Sequence, residues 1–395
     1  MYPVKIETIE ITAVGGIEYL RILFDPSMNI LCGPNGIGKT TVLESVAHCF
    51  AAGETSILKR HVGHERSTVT ATVEHEDLCT EVAYGFAEFE PSQRAQISGK
   101  HDWSPFLLSL KTTRTFVYTP LNSVSRDTEK NQRNLYQEAK TGVILDDVKN
   151  WFVNRYLYSA HERALTPEKL ANFALAKRCF AELNPDYTFS HVDATTNEIL
   201  VSTPAGNIYY EYLSSGFKSC LSILFGIIKE VEFRFTGVPS RVEDFAGVVL
   251  IDELELHLHP EWQARIAGVL TRIFPMIQFI VTTHSPHIIQ AAEPNQIIAL
   301  EFRDRTVALR PLPKTPLGFK GWTLDEVLTD VMGMHDTRTE VLRDLLDAFS
   351  QAVAEDNYTK AEEVFGELDR SLHPENHIRK LLRLQLNSIT PVEYD

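Results

Sequence analysis

The sequence predicts an α/β protein built around a sheet whose strands are mainly parallel. A glycine-rich segment at 33–40 lies between a short apolar run at 29–32 and a helical run at 40–47. Two further apolar runs, at 247–251 and 278–282, each end in polar residues. Continuous apolar runs of this length are typical of strands buried on both faces of a parallel sheet. Since such sheets place their chemistry at the carboxyl ends of strands, the same three segments predict a functional site.

The glycine-rich segment matches the phosphate-binding pattern G-x-x-x-x-G-K-[ST]. Its glycines let backbone N–H groups surround phosphate oxygens, and the following helix adds a favourable dipole. We expect Lys39 to neutralise the β- and γ-phosphates and the Thr40 hydroxyl to bind Mg²⁺. The sequence therefore predicts that ATP and Mg²⁺ bind at this loop, whose residues are Gly33, Pro34, Asn35, Gly36, Ile37, Gly38, Lys39, Thr40 and Thr41.

Two carboxylates, Asp252 and Glu253, follow the apolar run at 247–251. Asp252 is predicted to hold the magnesium ion, directly or through water. Glu253 is predicted to orient the attacking water or to accept its proton. Together with the phosphate-binding loop, this pair indicates an enzyme that hydrolyses ATP.

A histidine, His284, follows the next apolar run along the chain, at 278–282. A histidine after a strand is usually structural. Here the strand comes directly after the one that carries Asp252, so its end is expected at the same edge of the sheet. We therefore predict that His284 contacts the γ-phosphate or the attacking water.

A fourth element, Ser214-Ser215-Gly216, precedes the apolar helical run at 221–228. Serines and a glycine at a helix N-terminus form a surface that binds anions. With the other three elements, this turn resembles the signature motif of the ABC ATPase superfamily. The sequences at 252–260 and 282–286 resemble those of the soluble branch that includes the SMC, RecF and OLD ATPases. Within it the chain is most similar to ATPase subunits of bacterial anti-phage systems such as Septu.

The resemblance implies a homodimer in which two heads meet head to tail around two ATP molecules. Ser214, Ser215 and Gly216 of one subunit would then contact the γ-phosphate that Lys39 of the other subunit holds. The motif departs from the usual Gly-Gly pair, which is Ser215-Gly216 here, and Phe217 replaces the usual Gln or Glu. A glutamine loop is not evident, and Gln132 and Gln137 are weak candidates for it.

The same resemblance implies a partner effector, a nuclease of the HNH type, and assembly beyond the dimer. Related OLD proteins that carry their own nuclease need an Asp-x-Asp pair, and this chain has none. A RecF- or SMC-like DNA-repair ATPase that clamps DNA directly is the alternative. Nucleic acid would then meet local basic residues, because the net charge of −15 opposes general DNA binding. The candidates are Lys59, Arg60, His61, Lys100, His101, Lys111 and Arg114.

A metal site of another kind is an alternative for Glu255, His257 and His259, since His-x-His with a nearby carboxylate can bind zinc. The resemblance instead places these residues in the dimer-contact loop.

Five scattered cysteines without a C-x-x-C pair indicate reduced thiols. With no apolar run of membrane-spanning length and no signal pattern, the sequence predicts a cytoplasmic protein with no membrane contact.

The chain is predicted to divide into an ATPase head, an insertion and an appendage. Residues 1–120 and 187–305 form the two parts of the head, and 121–186 form a mainly helical lobe that includes a polar, mobile loop at 122–140. A linker with three prolines at 306–320 leads to an acidic helical region, 321–395, with 16 acidic and 7 basic residues. Because this region need not serve the ATP site, we expect it to dock a partner protein.

Overall fold

The computed structural model describes residues 3–76, 78–113, 120–235, 240–313 and 315–390. The chain divides into two compact units, Met1–Gly333 and Met334–Asp395. The strands lie in the first unit and are β1 (Val4–Val14), β2 (Ile17–Leu23), β3 (Met28–Cys32), β4 (Ala52–Thr55), β5 (Ser67–His75), β6 (Leu78–Phe86), β7 (Ala95–Ser98), β8 (Leu107–Leu110), β9 (Thr188–Val192), β10 (Ile199–Thr203), β11 (Gly206–Tyr209), β12 (Val248–Ile251), β13 (Gln278–Thr282), β14 (Ile297–Arg303) and β15 (Thr306–Leu309). The helices are α1 (Lys39–Cys49), α2 (Gln132–Thr141), α3 (Val148–Ser159), α4 (Pro167–Leu183), α5 (Ser215–Arg234), α6 (Pro260–Ile273), α7 (Pro286–Ala291), α8 (Leu324–Glu326), α9 (Glu340–Ala354), α10 (Tyr358–Ser371) and α11 (His377–Ser388).

The central sheet of the first unit has the strand order β15-β14-β3-β13-β12-β8. Its neighbours pair in parallel from β14 to β8, and β15 adds an antiparallel edge. Every residue of β3, β8, β12 and β13 is buried. This sheet confirms the predicted α/β class, and it brings the carboxyl ends of β3, β12 and β13 to one edge.

Both faces of the central sheet are covered, so its strands alternate between two hydrophobic cores. Val249 and Ile251 face a core with helices α3 to α6, whereas Val248 and Leu250 face a core with α1 and the antiparallel sheet β2-β1-β5-β6. Full burial of one such aliphatic side chain contributes roughly 1.5–3 kcal/mol. The two-sided coverage is the physical reason that these strands read as unbroken apolar runs.

The helical lobe is joined to α5 by buried ion pairs. Glu232 of α5 accepts hydrogen bonds from Arg155 at 2.6 and 2.8 Å and from the Trp151 indole at 3.0 Å. Neighbouring cations hold Glu230 ionised and lower its pKa to about 2, against the effect of its burial.

Residues 132–141, which the sequence placed in a mobile loop, form α2 instead, because Asn131 caps its N-terminus and Leu135 is buried. The strand expected at 115–120 lies outside the described residues except at its last position.

The second unit, Met334–Asp395, consists of α9, α10 and α11 around its own apolar core. Phe349, Ala361 and Leu368 are fully buried there. The unit begins after Gly333, whereas the sequence placed a change of domain at 320, and β15 lies inside the predicted linker. Among the described residues, no helix is both long enough and apolar enough to cross a membrane.

Candidate active site

The phosphate-binding loop connects β3 to α1 and is shaped by glycines in left-handed conformations. Gly33 has φ +138°, and a Cβ there would lie 2.4 Å from the carbonyl oxygen of Leu300. Gly38 has φ +103° and directly precedes α1. A side chain at either position would be strained, so the loop geometry depends on both glycines. Asn35 and Gly36 are exposed at the tip of the loop, while Ile37 anchors it in the core.

Lys39 is buried at the start of α1, and its ammonium donates to two carbonyl oxygens of the loop. The distances are 2.9 Å to Gly33 and 3.0 Å to Pro34. Burial lowers the Lys39 pKa, while nearby acidic groups, including Glu255, act in the opposite direction. A buried cation at the first turn of a helix is suited to bind a phosphate between itself and the backbone N–H groups.

Thr40 and Asp252 meet although 212 residues separate them. The Thr40 hydroxyl lies 3.2 Å from each carboxylate oxygen of Asp252, which also accepts the Thr282 hydroxyl at 2.6 Å. A carboxylate and a hydroxyl supply the oxygen ligands that Mg²⁺ prefers. The start of α1 and the ends of β12 and β13 therefore form one polar site that fits this ion.

Glu253 follows Asp252 in a left-handed conformation, with φ +50°. Its backbone N–H donates to the Thr282 hydroxyl at 2.8 Å. The Thr282 hydroxyl thus fixes both residues, because it donates to the Asp252 carboxylate and accepts the Glu253 backbone N–H. A non-glycine residue held at positive φ is uncommon and is often part of a functional site.

His284 is exposed at the end of β13, at the same edge as Asp252. Its backbone N–H donates to Glu255 at 2.5 Å, and the other oxygen of Glu255 accepts the Thr283 hydroxyl at 2.7 Å. The sequence offered Glu255, with His257 and His259, as a metal site or as part of the dimer-contact loop. Within the part of the chain that the structure describes, no three His, Cys, Asp or Glu side chains are grouped to hold a metal ion.

The signature turn lies at the N-terminus of α5, where Ser214 caps the helix by accepting the Phe217 N–H at 3.2 Å. Ser214 and Ser215 are exposed. A Cβ on Gly216 would lie 3.4 Å from the His259 backbone nitrogen and 3.7 Å from the His257 carbonyl oxygen, so this turn packs closely on the segment between β12 and α6. The turn is therefore packed on that segment within one chain, and both serines lie at the protein surface.

The structure gives the surroundings of several other candidate residues. The Gln132 amide binds the carbonyl of His101 and the hydroxyl of Ser104. Lys59 donates to the carbonyls of Glu90 and Gln93, and Arg60 donates to those of Ala87, His61 and His64. Arg114 lies outside the described residues. Gln137 is exposed on α2.

Lys111, assigned in the sequence to a possible nucleic-acid surface, pairs instead with Glu44 of α1 at 2.6 Å. It follows β8, directly beside Asp252. The signal that could have located it is long-range strand pairing, which a local pattern does not contain.

Comparison with known proteins gives consistent matches over this site. The family described as "AAA domain, putative AbiEii toxin, Type IV TA system" matches residues 28–290. The Septu protein PtuA of Bacillus thuringiensis is 41% identical over 390 residues, which cover 96% of this chain and 97% of that protein. The retron Ec83 probable ATPase of Escherichia coli is 28% identical over 58% of this chain, and the match spans 44% of that protein. Among solved structures, the SMC head domain from Thermotoga maritima has a TM-score of 0.48 and 14% identity, covering 78% of this chain and all of that chain.

Proposed function

The chain belongs to the AAA-domain family described above and is an ATPase of the type found in Septu and retron defence systems, and on this premise we propose that it controls a partner effector. ATP closes two heads into a head-to-tail homodimer, and hydrolysis reopens them. The effector is a nuclease of the HNH type that acts in anti-phage defence. The resemblance to Septu ATPases supports this output, and the site geometry supports the ATPase cycle that drives it.

The observation that carries the proposal is the contact between Thr40 and Asp252. Two chain segments 212 residues apart present a hydroxyl and a carboxylate to one point beside Lys39. In this proposal Lys39 and the N–H groups of the loop bind the β- and γ-phosphates, and Thr40 and Asp252 hold Mg²⁺. The ion supplies electrostatic stabilisation of the phosphoryl oxygens.

Glu253 is proposed to orient the attacking water and accept its proton. Its backbone is fixed by Thr282 at 2.8 Å, so the carboxylate leaves β12 at a defined angle beside Asp252. His284 is proposed to contact the γ-phosphate or that water from the end of β13. Placing a base within reach of a bound water contributes about 10²–10⁴ in rate.

The exposed residues Ser214 and Ser215 are proposed to contact the γ-phosphate of the opposite subunit, together with Gly216. Exposure at a helix N-terminus supports this role, because the free N–H groups and the helix dipole there favour an anion. The packing of the signature turn on the segment after β12 would couple ATP hydrolysis to the dimer contact.

The C-terminal region is proposed to dock the effector. The unit Met334–Asp395 has its own core, and it leaves Val341, Leu381 and Leu384 more than half exposed. The region 321–395 is also acidic, so a basic surface on the partner would complement it.

The test is a pull-down of the Glu253→Gln protein from its native host in the presence of ATP. A nuclease that co-purifies, and is lost when residues 334–395 are deleted, supports the proposal. Lys39→Ala is the matched control, since it should not close and should retain less partner. DNA that binds without a protein partner, in a salt-sensitive manner, would instead identify a DNA clamp.

A further inference from the structure

The chain reaches its second unit through a segment that is buried in the first. Residues 327–333, here called the junction segment, end at Gly333, the last residue of the first unit. Val327 and Val331 are fully buried in the core that also contains α7. The Met332 N–H donates to the Val327 carbonyl at 3.0 Å, which closes a π-helical turn. Single π-helical turns are rare and are frequently found at functional sites.

Gly333 lies against the phosphate-binding loop. It has φ +77°, and a Cβ there would lie 3.4 Å from Cγ of Pro34 and 2.9 Å from Nη2 of Arg310. The Pro34 carbonyl in turn accepts the Lys39 ammonium at 3.0 Å. Pro34 therefore links the end of the junction segment to the cation that is proposed to bind phosphate.

Arg310 holds the junction segment in this place. Its Nη1 donates to the Asp330 carbonyl at 3.0 Å and to the Thr329 carbonyl at 3.4 Å. Its Nε lies 3.2 Å from Oε2 of Glu301 in β14, and its backbone N–H donates to the Ala299 carbonyl of the same strand at 2.8 Å. Because β14 pairs with β3, which leads into the phosphate-binding loop, Arg310 ties the junction segment to the strand beside that loop.

The helix α7 contacts the same part of the chain from the other side of the site. The Gln290 side-chain amide donates to the Trp322 carbonyl at 2.6 Å, and Ile288 and Ile289 share the core with Val327. Since α7 begins directly after the turn that carries His284, the segment that leads to Gly333 packs on two elements of the candidate site.

We propose that Arg310 and Gly333 are positioning residues that couple the phosphate-binding loop to the C-terminal unit, Met334–Asp395. The inference rests on the proposed function, in which Lys39 binds phosphate and this unit docks the effector. Phosphate oxygens compete with the Pro34 carbonyl for the Lys39 ammonium, so bound nucleotide changes the hydrogen bonding of the residue beside Gly333. That change continues along the backbone into the second unit. Coupling of this kind is reciprocal, so a change at Gly333 also alters ATP affinity.

The experiment compares full-length wild type with Arg310→Met and Gly333→Ala. The affinity for a non-hydrolysable ATP analogue is measured by calorimetry, and amide hydrogen exchange of peptides within 327–343 is measured with and without the analogue. Gly206→Ala is the matched control, because Gly206 also has a positive φ of +111°, and an added Cβ there meets no described heavy atom within 4 Å. Lys39→Ala serves as the variant that does not bind the analogue.

The analogue should slow exchange within 327–343 by at least about threefold in the wild type, because it stabilises the closed form of this segment. In Arg310→Met and Gly333→Ala this protection should be lost, and affinity should fall about fivefold, the lower end of typical coupling. The KM for ATP should rise by the same factor while kcat stays nearly unchanged, since the catalytic groups are untouched. Gly206→Ala should match the wild type in every measurement.

Two further variants make the result specific. Ser214→Arg, which blocks the proposed dimer contact, should keep the protection, because the path from Lys39 to Gly333 lies within one chain. If Arg310→Met does not fold, Arg310→Lys keeps the charge but lacks the planar guanidinium that bonds two carbonyls and Glu301 together. It should lose part of the protection and part of the affinity.

The inference is overturned if the wild type binds the analogue and exchange within 327–343 does not change. It is also overturned if Arg310→Met and Gly333→Ala keep both protection and affinity, or if Gly206→Ala loses as much as Gly333→Ala. Loss of protection in Ser214→Arg would assign it to the dimer contact and likewise contradict the inference. A wild type that binds the analogue no better than Lys39→Ala would instead contradict the proposed function, so the two failures are distinguishable.

Discussion

The carboxylate of Glu255 accepts the backbone N–H of His284 at 2.5 Å. Its second oxygen accepts the Thr283 hydroxyl at 2.7 Å, so one side chain fixes the turn that follows β13. Glu255 itself lies in the segment after Asp252 and Glu253. The conformation of that segment and the position of His284 are therefore set together.

Glu255→Ala should lower the ATPase turnover about tenfold and leave nucleotide affinity nearly unchanged. The reason is that a hydrogen bond to an ionised group contributes about 1.5–3 kcal/mol, and its loss frees His284 without touching the phosphate-binding loop. Turnover and the affinity for a fluorescent ATP analogue would be measured separately. Glu261→Gln is the matched control, because Glu261 is exposed and pairs with Arg265 only at 3.9 Å. Equal turnover in Glu255→Ala and Glu261→Gln would contradict the role of Glu255.

Glu253→Gln should bind ATP and stop hydrolysis, with turnover lowered at least about 100-fold through loss of the general base. The closed dimer should then persist with ATP, and light scattering after size exclusion would report a doubled mass. Lys39→Ala, which loses phosphate binding, should stay open under the same conditions. If Glu253→Gln hydrolyses ATP at the normal rate, the base is another residue.

Local sequence patterns predict the candidate site where its residues follow one another in the chain. Gly33 to Thr41 form one loop, and Asp252 and Glu253 end one buried strand, so local patterns were sufficient to predict both segments. The sheet class followed from the same strands, because burial on both faces leaves an unbroken apolar run. The structure places these segments together at the edge where they were expected.

The surroundings of Lys111 and Glu255 come from distant parts of the chain, so local patterns did not predict them. Lys111 looks like an isolated surface cation in the sequence, and only the pairing of β8 with β12 places it beside Asp252. Glu255 resembled part of a His-x-His metal pattern, whereas β13 supplies the groups that it binds. Residues 132–141 appeared too polar for order, but a capped helix with one buried stripe forms there.

His48 should make the stability of the first unit depend on pH. It is fully buried, its ring nitrogens contact the Glu44 carbonyl at 2.6 Å and the Thr55 hydroxyl at 2.8 Å, and burial lowers its pKa from 6.5 to about 4. Above pH 6.5 the imidazole is neutral in both states and its contribution is complete. As the pH falls from 6.5 towards 4 the unfolded chain binds a proton that the folded chain excludes, so stability is lost.

When the pH falls from 7 to 5, the difference in free energy of unfolding between the wild type and His48→Gln should therefore shrink by about 2 kcal/mol. Urea unfolding followed by tryptophan fluorescence measures this, because all four tryptophans lie in the unit Met1–Gly333. His101→Gln is the control for loss of a histidine, since that side chain is 45% exposed. Parallel curves for wild type and His48→Gln would refute the assignment.

Two inactive proteins should restore activity when mixed, if the signature turn acts on the opposite subunit. Lys39→Ala removes phosphate binding, and Ser214→Arg blocks the turn at an exposed position, at a cost of about 1 kcal/mol for the lost helix cap. In a mixed dimer, one site combines the intact Lys39 of one chain with the intact Ser214 of the other. A 1:1 mixture should therefore recover about a quarter of wild-type turnover, because half of the dimers are mixed and each has one of two sites.

A chain that carries both substitutions, mixed with wild type, forms mixed dimers in which neither site is complete, so it serves as the control. If the turn acted within its own chain, mixing the two single variants would restore nothing, and the control mixture would keep the activity of its wild-type chains.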